Sequence, residues 1–88
     1  MNKIFMEKLK TARKYNNLTQ KQLANEINIS ETGYASWEQG LSEPSTTHIV
    51  AICKKLDISA DYLLGLEDET GHKYNTYNNI TITGVQYK

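Results

Sequence analysis

The chain has 88 residues, of which 39% are hydrophobic and 23% charged, and its 10 basic residues balance its 10 acidic ones. This length suits one small domain, whose core must draw on most of the chain. No apolar run approaches a membrane span, and the amino terminus MNKIFMEKLK mixes charges and hydrophobes too closely for a signal peptide, so we expect a cytoplasmic protein. A single cysteine, Cys53, excludes an internal disulfide and a multi-cysteine zinc site.

The first predicted element is a helix from about Lys3 to Tyr15. Phe5, Leu9 and Ala12 follow the spacing of one apolar stripe on such a helix. Asparagine tolerates the left-handed backbone that often ends a helix, so Asn17 and the asparagine before it suit the exit.

The next two predicted helices are short and are joined by a tight turn. Thr19 is the expected N-cap of the second helix, because Gln22 three positions later completes a capping box. Residues 28–30 are too few for anything but a turn, and Ser30 caps the third helix, which ends at Gly40. Two helices joined so closely form a helix-turn-helix, whose second helix can enter a DNA major groove.

Gly33 is an unfavourable residue inside the third helix, because glycine there costs about 1 kcal/mol relative to alanine. One interpretation is a packing glycine, where another backbone comes close. The other is that the missing side chain lets the helix approach a ligand surface. The sequence leaves both open.

Two further helices follow a loop. Pro44 and Ser45 introduce a fourth helix, from about Thr46 to Leu56. Ser59 is a plausible cap for a short fifth helix, 60–64, which glycine ends. The fourth helix carries a predicted buried stripe: Ile49, Ile52, Cys53 and Leu56. We therefore expect an all-α fold of five short helices over residues 1–65.

Residues 66–88 differ in composition and are expected to form a polar linker and a tail. Within 78–87, Ile80 and Ile82 alternate with threonines, which predicts one β-strand, and a bulge would bring Val85 to the same side. A lone strand is not stable by itself. The tail is therefore either disordered or paired with the tail of a second copy, and we expect pairing, with these three apolar residues at the dimer contact.

From about Phe5 to Gly65 the chain resembles the Cro/repressor-type (XRE-like) helix-turn-helix DNA-binding domain of phage repressors and bacterial regulators. The stretches that carry the resemblance are LTQKQLANEINIS, WEQG followed by Pro44 and Ser45, and LDISADYLLG. The resemblance implies a compact five-helix domain that binds double-stranded DNA through the helix 31–39.

Carried over position by position, the resemblance implies which residues meet DNA. It places Gln20 at the DNA backbone or a base edge, and Ser42 in a loop that meets phosphates. Arg13 is expected to contact a phosphate because its side chain is positively charged. Glu31 can accept a hydrogen bond from cytosine N4, and residues of this kind imply modest direct readout, supplemented by DNA shape or water. The expected DNA-binding set is Arg13, Gln20, Lys21, Ser30, Glu31, Thr32, Gly33, Ser36 and Ser42.

The zero net charge counts against a DNA-binding domain, because such domains are usually basic. The distribution of charge softens this objection, because phosphate attraction depends on local potential. The first quarter of the chain holds six basic residues opposed only by Glu7: Lys3, Lys8, Lys10, Arg13, Lys14 and Lys21.

These observations predict a sequence-specific transcriptional regulator of phage or bacterial type, most simply a repressor that binds a palindromic operator as a homodimer. The alternative is an antitoxin or small interaction protein whose C-terminal strand binds a protein partner. An enzyme is not expected, because no nucleophile–base pair, phosphate-cradling glycine loop or carboxylate cluster is recognisable. His48 and His72 lack neighbouring ligand patterns, so neither a metal nor another cofactor is expected.

Overall fold

The computed structural model describes residues 3–67, and this part of the chain is all-α. Its helices are α1 (Lys3–Tyr15), α2 (Gln20–Glu26), α3 (Glu31–Gln39), α4 (Thr46–Leu56) and α5 (Ala60–Leu64). The predicted bounds of α1, α3, α4 and α5 and the predicted start of α2 are confirmed. The predicted strand over 78–87, with Ile80, Ile82 and Val85, lies outside the described residues. No helix within residues 3–67 has the length and apolarity that a membrane crossing requires.

Local capping explains why the helices begin and end where they do. Thr19 Oγ1 accepts the Gln22 N–H at 3.0 Å, and Gln22 Oε1 accepts the Thr19 N–H at 2.8 Å, which is the predicted capping box. Three serines cap the later helices in the same way, each accepting a backbone N–H three residues on: Ser30, Ser45 and Ser59. Gly40 and Gly65 end α3 and α5 in the left-handed conformation, with φ of 78° and 87°.

All five helices contribute to one core. The buried hydrophobic residues are Phe5, Leu9, Ala12, Leu23, Ala24, Ile27, Tyr34, Trp37, Ile52, Leu56 and Leu63. Trp37 is only 6% exposed, so the chain's one tryptophan packs in the core. Cys53 packs against this core half-buried, and burial raises the pKa of its thiol.

The turn between α2 and α3 is held from inside the domain. Asn28 adopts the left-handed backbone at φ 62°. The Ile29 N–H then donates to the Ala24 carbonyl at 2.9 Å, and the Ile29 side chain packs on the core. The inner faces of α2 and α3 are thereby buried together, and their outer faces are directed away from the core.

Candidate nucleic-acid interface

The outer face of the α2–α3 pair is polar and open. Lys21, Ser30, Glu31 and Thr32 are exposed, and the α3 residues next to them are the half-buried Gly33 and Ser36. Residues on the opposite faces, such as Leu23 and Tyr34, are completely buried. The sequence-predicted residues at 20–21 and 30–36 therefore lie on the unburied side of the motif, where a ligand can reach them.

Gly33 lies near the start of α3, above the cap of that helix. Ser30 Oγ accepts the Gly33 N–H at 3.0 Å. A Cβ built on Gly33 would meet this same oxygen at 3.0 Å and no neighbouring helix within residues 3–67. Because no other helix approaches Gly33 there, the glycine is not needed for helix packing. This favours the alternative, that it lets α3 approach a ligand closely.

Behind the outer face, a buried carboxylate joins α1, α2 and α3. Glu38 is 5% exposed. Arg13 donates to both of its oxygens, from Nε at 2.7 Å and from Nη2 at 3.2 Å. The Tyr34 hydroxyl donates at 2.5 Å and Gln20 Nε2 at 3.0 Å. We call these four residues the Glu38 network.

The Glu38 network keeps its carboxyl ionised. Burial by itself raises the pKa of Glu38, but the hydrogen bonds from Arg13, Tyr34 and Gln20 outweigh burial, and the pKa lies below its ordinary value. The hydrogen bond to Glu38 raises the pKa of Arg13, and burial together with the nearby carboxylate raises that of Tyr34. The result is an ion pair with its hydrogen bonds satisfied inside the domain.

The expectation that Arg13 contacts phosphate is corrected by this geometry. Arg13 is 8% exposed, and besides Glu38 it holds the Leu18 carbonyl, which Nη1 contacts at 2.8 Å. A guanidinium engaged in this way supports the fold, so its charge is not presented to a ligand. The positive charge that α1 presents to a ligand is therefore smaller than its number of basic residues suggests.

Gln20, the first residue of α2, faces both Glu38 and the outer face of the motif. Its Nε2 donates inward, which fixes the orientation of the amide. The side chain is only half-buried, so its remaining hydrogen-bonding groups are accessible from the outer face.

Glu38 was missing from the predicted set, although its spacing from Tyr34 by four residues placed it on the inner face of α3.

At the other end of α3, two serine hydroxyls connect the helix to the loop that follows. Ser36 Oγ donates to the Gly33 carbonyl at 2.6 Å and lies 2.5 Å from Ser42 Oγ. The Leu41 N–H donates to the Ser36 carbonyl at 2.9 Å. Ser42, predicted as a phosphate contact, is exposed, but its hydroxyl is bonded to α3.

Among residues 3–67, no group of three or more histidine, cysteine, aspartate or glutamate residues could hold a metal ion. His48 lies with Nδ1 3.0 Å from Ser45 Oγ and with its ring centroid 5.3 Å from that of Trp37. Through these contacts His48 helps to hold the start of α4 against the core.

A family model described as helix-turn-helix matches residues 9–63. The uncharacterized HTH-type transcriptional regulator YobD of Bacillus subtilis is 32% identical over 75 residues, covering 85% of this chain and 67% of that protein. The cryptic phage CTXphi transcriptional repressor RstR of Vibrio cholerae is 44% identical over 59 residues, covering 67% of this chain and 53% of that protein. The chain thus spans about half to two thirds of the length of these relatives.

Two solved structures share the fold. The DNA-binding domain of the P22 C2 repressor in solution has a TM-score of 0.66 and 31% identity, covering 73% of this chain and 86% of that one. The crystal structure of the P22 c2 repressor in complex with a synthetic operator has a TM-score of 0.65 and 28% identity, covering 68% and 91%. The chain therefore belongs to the Cro/repressor-type helix-turn-helix family of DNA-binding transcriptional regulators.

Proposed function

We propose that this protein is a sequence-specific transcriptional repressor that binds a palindromic operator as a homodimer, with α3 in the major groove. The observation that carries the proposal is the α2–α3 pair, whose outer face is polar and exposed while its inner face is fixed in the core. A helix held in this way can enter the groove without rearrangement of the domain.

The relatives support the same function. RstR is named as a transcriptional repressor, and the P22 c2 repressor was solved with a synthetic operator. Repression requires only that the bound protein occupies a promoter, so this function needs neither a catalytic group nor a cofactor. Such a protein acts where the DNA is, in the cytoplasm of a bacterial cell.

The outer residues divide by chemistry. Lys21 is exposed and supplies a charge for a phosphate, and Gln20 is held by Glu38 with its amide at the same edge. Glu31 and Thr32 lie at the start of α3, where recognition helices contact base edges. Ser30 caps α3 and retains its own hydroxyl proton for a phosphate oxygen.

Dimerisation is part of the proposal because a palindromic operator requires a protein two-fold axis. Two copies would read half-sites about 34 Å apart on one face of the duplex. The candidate contact is the tail strand 78–87 through Ile80, Ile82 and Val85, with α5 as the other candidate. Sedimentation of the full chain and of a chain ending at Gly71 decides between them, because an unchanged dimer after truncation excludes the tail.

Selection of bound sequences from a random duplex pool tests the function. We expect a palindromic consensus with the full chain. The variant Thr32→Ala changes base preference in each half-site, whereas Lys54→Ala, an exposed α4 residue, leaves the consensus unchanged. Salt-sensitive binding without any preferred sequence would contradict the proposal, because it is the behaviour of non-specific phosphate attraction.

A further inference from the structure

The hydroxyls of Ser36 and Ser42 form a hydrogen-bonded pair, and counting their protons shows which hydroxyl is the donor. A serine hydroxyl carries one proton and can accept through its lone pairs. Ser36 donates its proton to the Gly33 carbonyl at 2.6 Å. The 2.5 Å hydrogen bond between the two hydroxyls must therefore be donated by Ser42.

After this count, neither hydroxyl has a proton left to give. Ser36 Oγ, which accepts from Ser42, has a second lone pair, so toward a ligand this hydroxyl can act only as an acceptor. Phosphate oxygens are acceptors too, so the Ser42 hydroxyl cannot donate to one while the pair is intact. In the major groove, the groups that can donate are the amino groups of adenine N6 and cytosine N4.

We propose that Ser36 is a specificity-determining acceptor, which selects adenine or cytosine over guanine or thymine on the DNA strand that faces it. Ser42 is its positioning residue. The inference rests on the proposed function, because it assumes that α3 enters the major groove. It assigns to Ser42 a different role from the phosphate contact expected from the sequence.

The backbone around the pair supports this assignment. Thr32, which is exposed, lies one helical turn before Ser36 on α3, so both are on the side that would face the groove. The Leu41 and Ser42 N–H groups donate to the Ser36 carbonyl at 2.9 and 3.4 Å. The loop that carries the Ser42 hydroxyl is thus attached to the residue that this hydroxyl orients.

The test compares base preferences of the full chain with those of Ser36→Ala, Ser42→Ala and Ser42→Thr, by selection from a random duplex pool. With the unmodified chain we expect one position per half-site at which adenine or cytosine on one strand is preferred by about five-fold. Ser36→Ala loses this preference at that same position only. Ser42→Ala reduces it there, because Ser36 still donates to the Gly33 carbonyl but is no longer held by the Ser42 hydroxyl. Ser42→Thr keeps the hydroxyl and restores it.

A second measurement uses the selected duplex with the sensitive base replaced by an analogue without its amino group. We expect affinity for the unmodified chain to fall about five-fold, and affinity for Ser36→Ala to stay unchanged. Equal losses for both proteins would overturn the inference, because the amino group would then have another partner.

Other outcomes would also overturn the inference. A preference for guanine or thymine at the sensitive position would mean that Ser36 donates. A uniform loss over all sequences for Ser42→Ala, with the salt slope reduced by about 1, would make Ser42 a phosphate contact. A specific consensus that no serine variant changes defeats this inference alone, whereas a flat profile for the unmodified chain defeats the proposed function and the inference together.

Discussion

Two polar regions of α3 differ in what surrounds them. The Glu38 network lies on the inner side, where Glu38 and Arg13 are 5% and 8% exposed and hydrogen-bonded to each other. The outer side carries Glu31 and Thr32, both exposed. One glutamate of this helix thus stabilises the domain and another faces a prospective ligand. Residue type alone does not distinguish these roles, because burial and partners decide them.

The largest effect is expected from breaking the inner network at Arg13. The change Arg13→Ala leaves Glu38 buried without its cation, so we expect a loss of about 3 kcal/mol or more in the free energy of unfolding. The matched control is Lys14→Ala, an exposed neighbour on the same helix, which should stay within about 0.5 kcal/mol. Urea unfolding measures both, and equal midpoints would show that the ion pair is not needed.

The second prediction concerns pH. Because the folded-state pKa of Glu38 lies below its ordinary value of 4.5, its contribution to stability is complete above that pH and is lost as the pH falls through the lowered pKa. Glu38→Gln should therefore be less stable than the natural chain by about 2 kcal/mol at pH 7.

The difference between the natural chain and Glu38→Gln should shrink as the pH falls below 4.5, because the carboxyl is then protonated in the unfolded chain and, below its lowered pKa, in the folded chain too. Urea unfolding at pH 7, 5, 4 and 3 provides the comparison. A difference that stays constant over this range would mean that the ionised carboxylate is not what stabilises the domain.

A smaller effect on stability is expected at Gly33, on the outer side. Gly33→Ala gains up to about 1 kcal/mol of helix propensity, which the 3.0 Å approach of the new Cβ to Ser30 Oγ offsets. We expect the free energy of unfolding to change by less than about 1 kcal/mol, whereas affinity for the selected operator falls. Unchanged affinity, measured by fluorescence anisotropy, would remove the interpretation that this position allows close approach.

The smallest effect on stability is expected for Glu31→Gln, which keeps the shape of an exposed side chain. The free energy of unfolding should stay within about 0.5 kcal/mol of the natural value. Base preference at one position should move from cytosine toward adenine, because glutamine pairs with adenine N6 and N7 while glutamate accepts from cytosine N4. Selection from a random duplex pool measures this preference. The same consensus for the natural chain and Glu31→Gln would contradict the prediction.

The helices could be predicted from the sequence because their signals are local. Thr19 with Gln22, and the serines before α3, α4 and α5, act within three residues of themselves. Gly40 and Gly65 likewise mark their helix ends through their own backbone conformation. The spacing of apolar residues then indicated the inward faces. Burial confirms them except in the predicted stripe of α4, where Ile52 and Leu56 are buried but Ile49 and Cys53 are only partly buried.

The Glu38 network could not be predicted in the same way. Arg13 and Glu38 are separated by 25 residues and meet only because α1 packs against α3. A pattern along one helix carries no information about which residue of another helix faces it. Arg13 was therefore assigned from its charge, and the assignment was wrong because the position that follows Ala12 faces inward.

The most direct test of the contrast between the two sides of α3 is a titration of the 15N-labelled full chain with the selected operator duplex, followed by amide chemical shifts. We predict that the largest shifts occur at Gln20, Lys21 and the start of α3 over residues 30–33, with smaller ones at Ser36 and Ser42. Amides of α4 and α5 that face away should change little. Shifts concentrated in α4 or α5, with α3 unaffected, would contradict the assignment of the outer face of α3 to DNA.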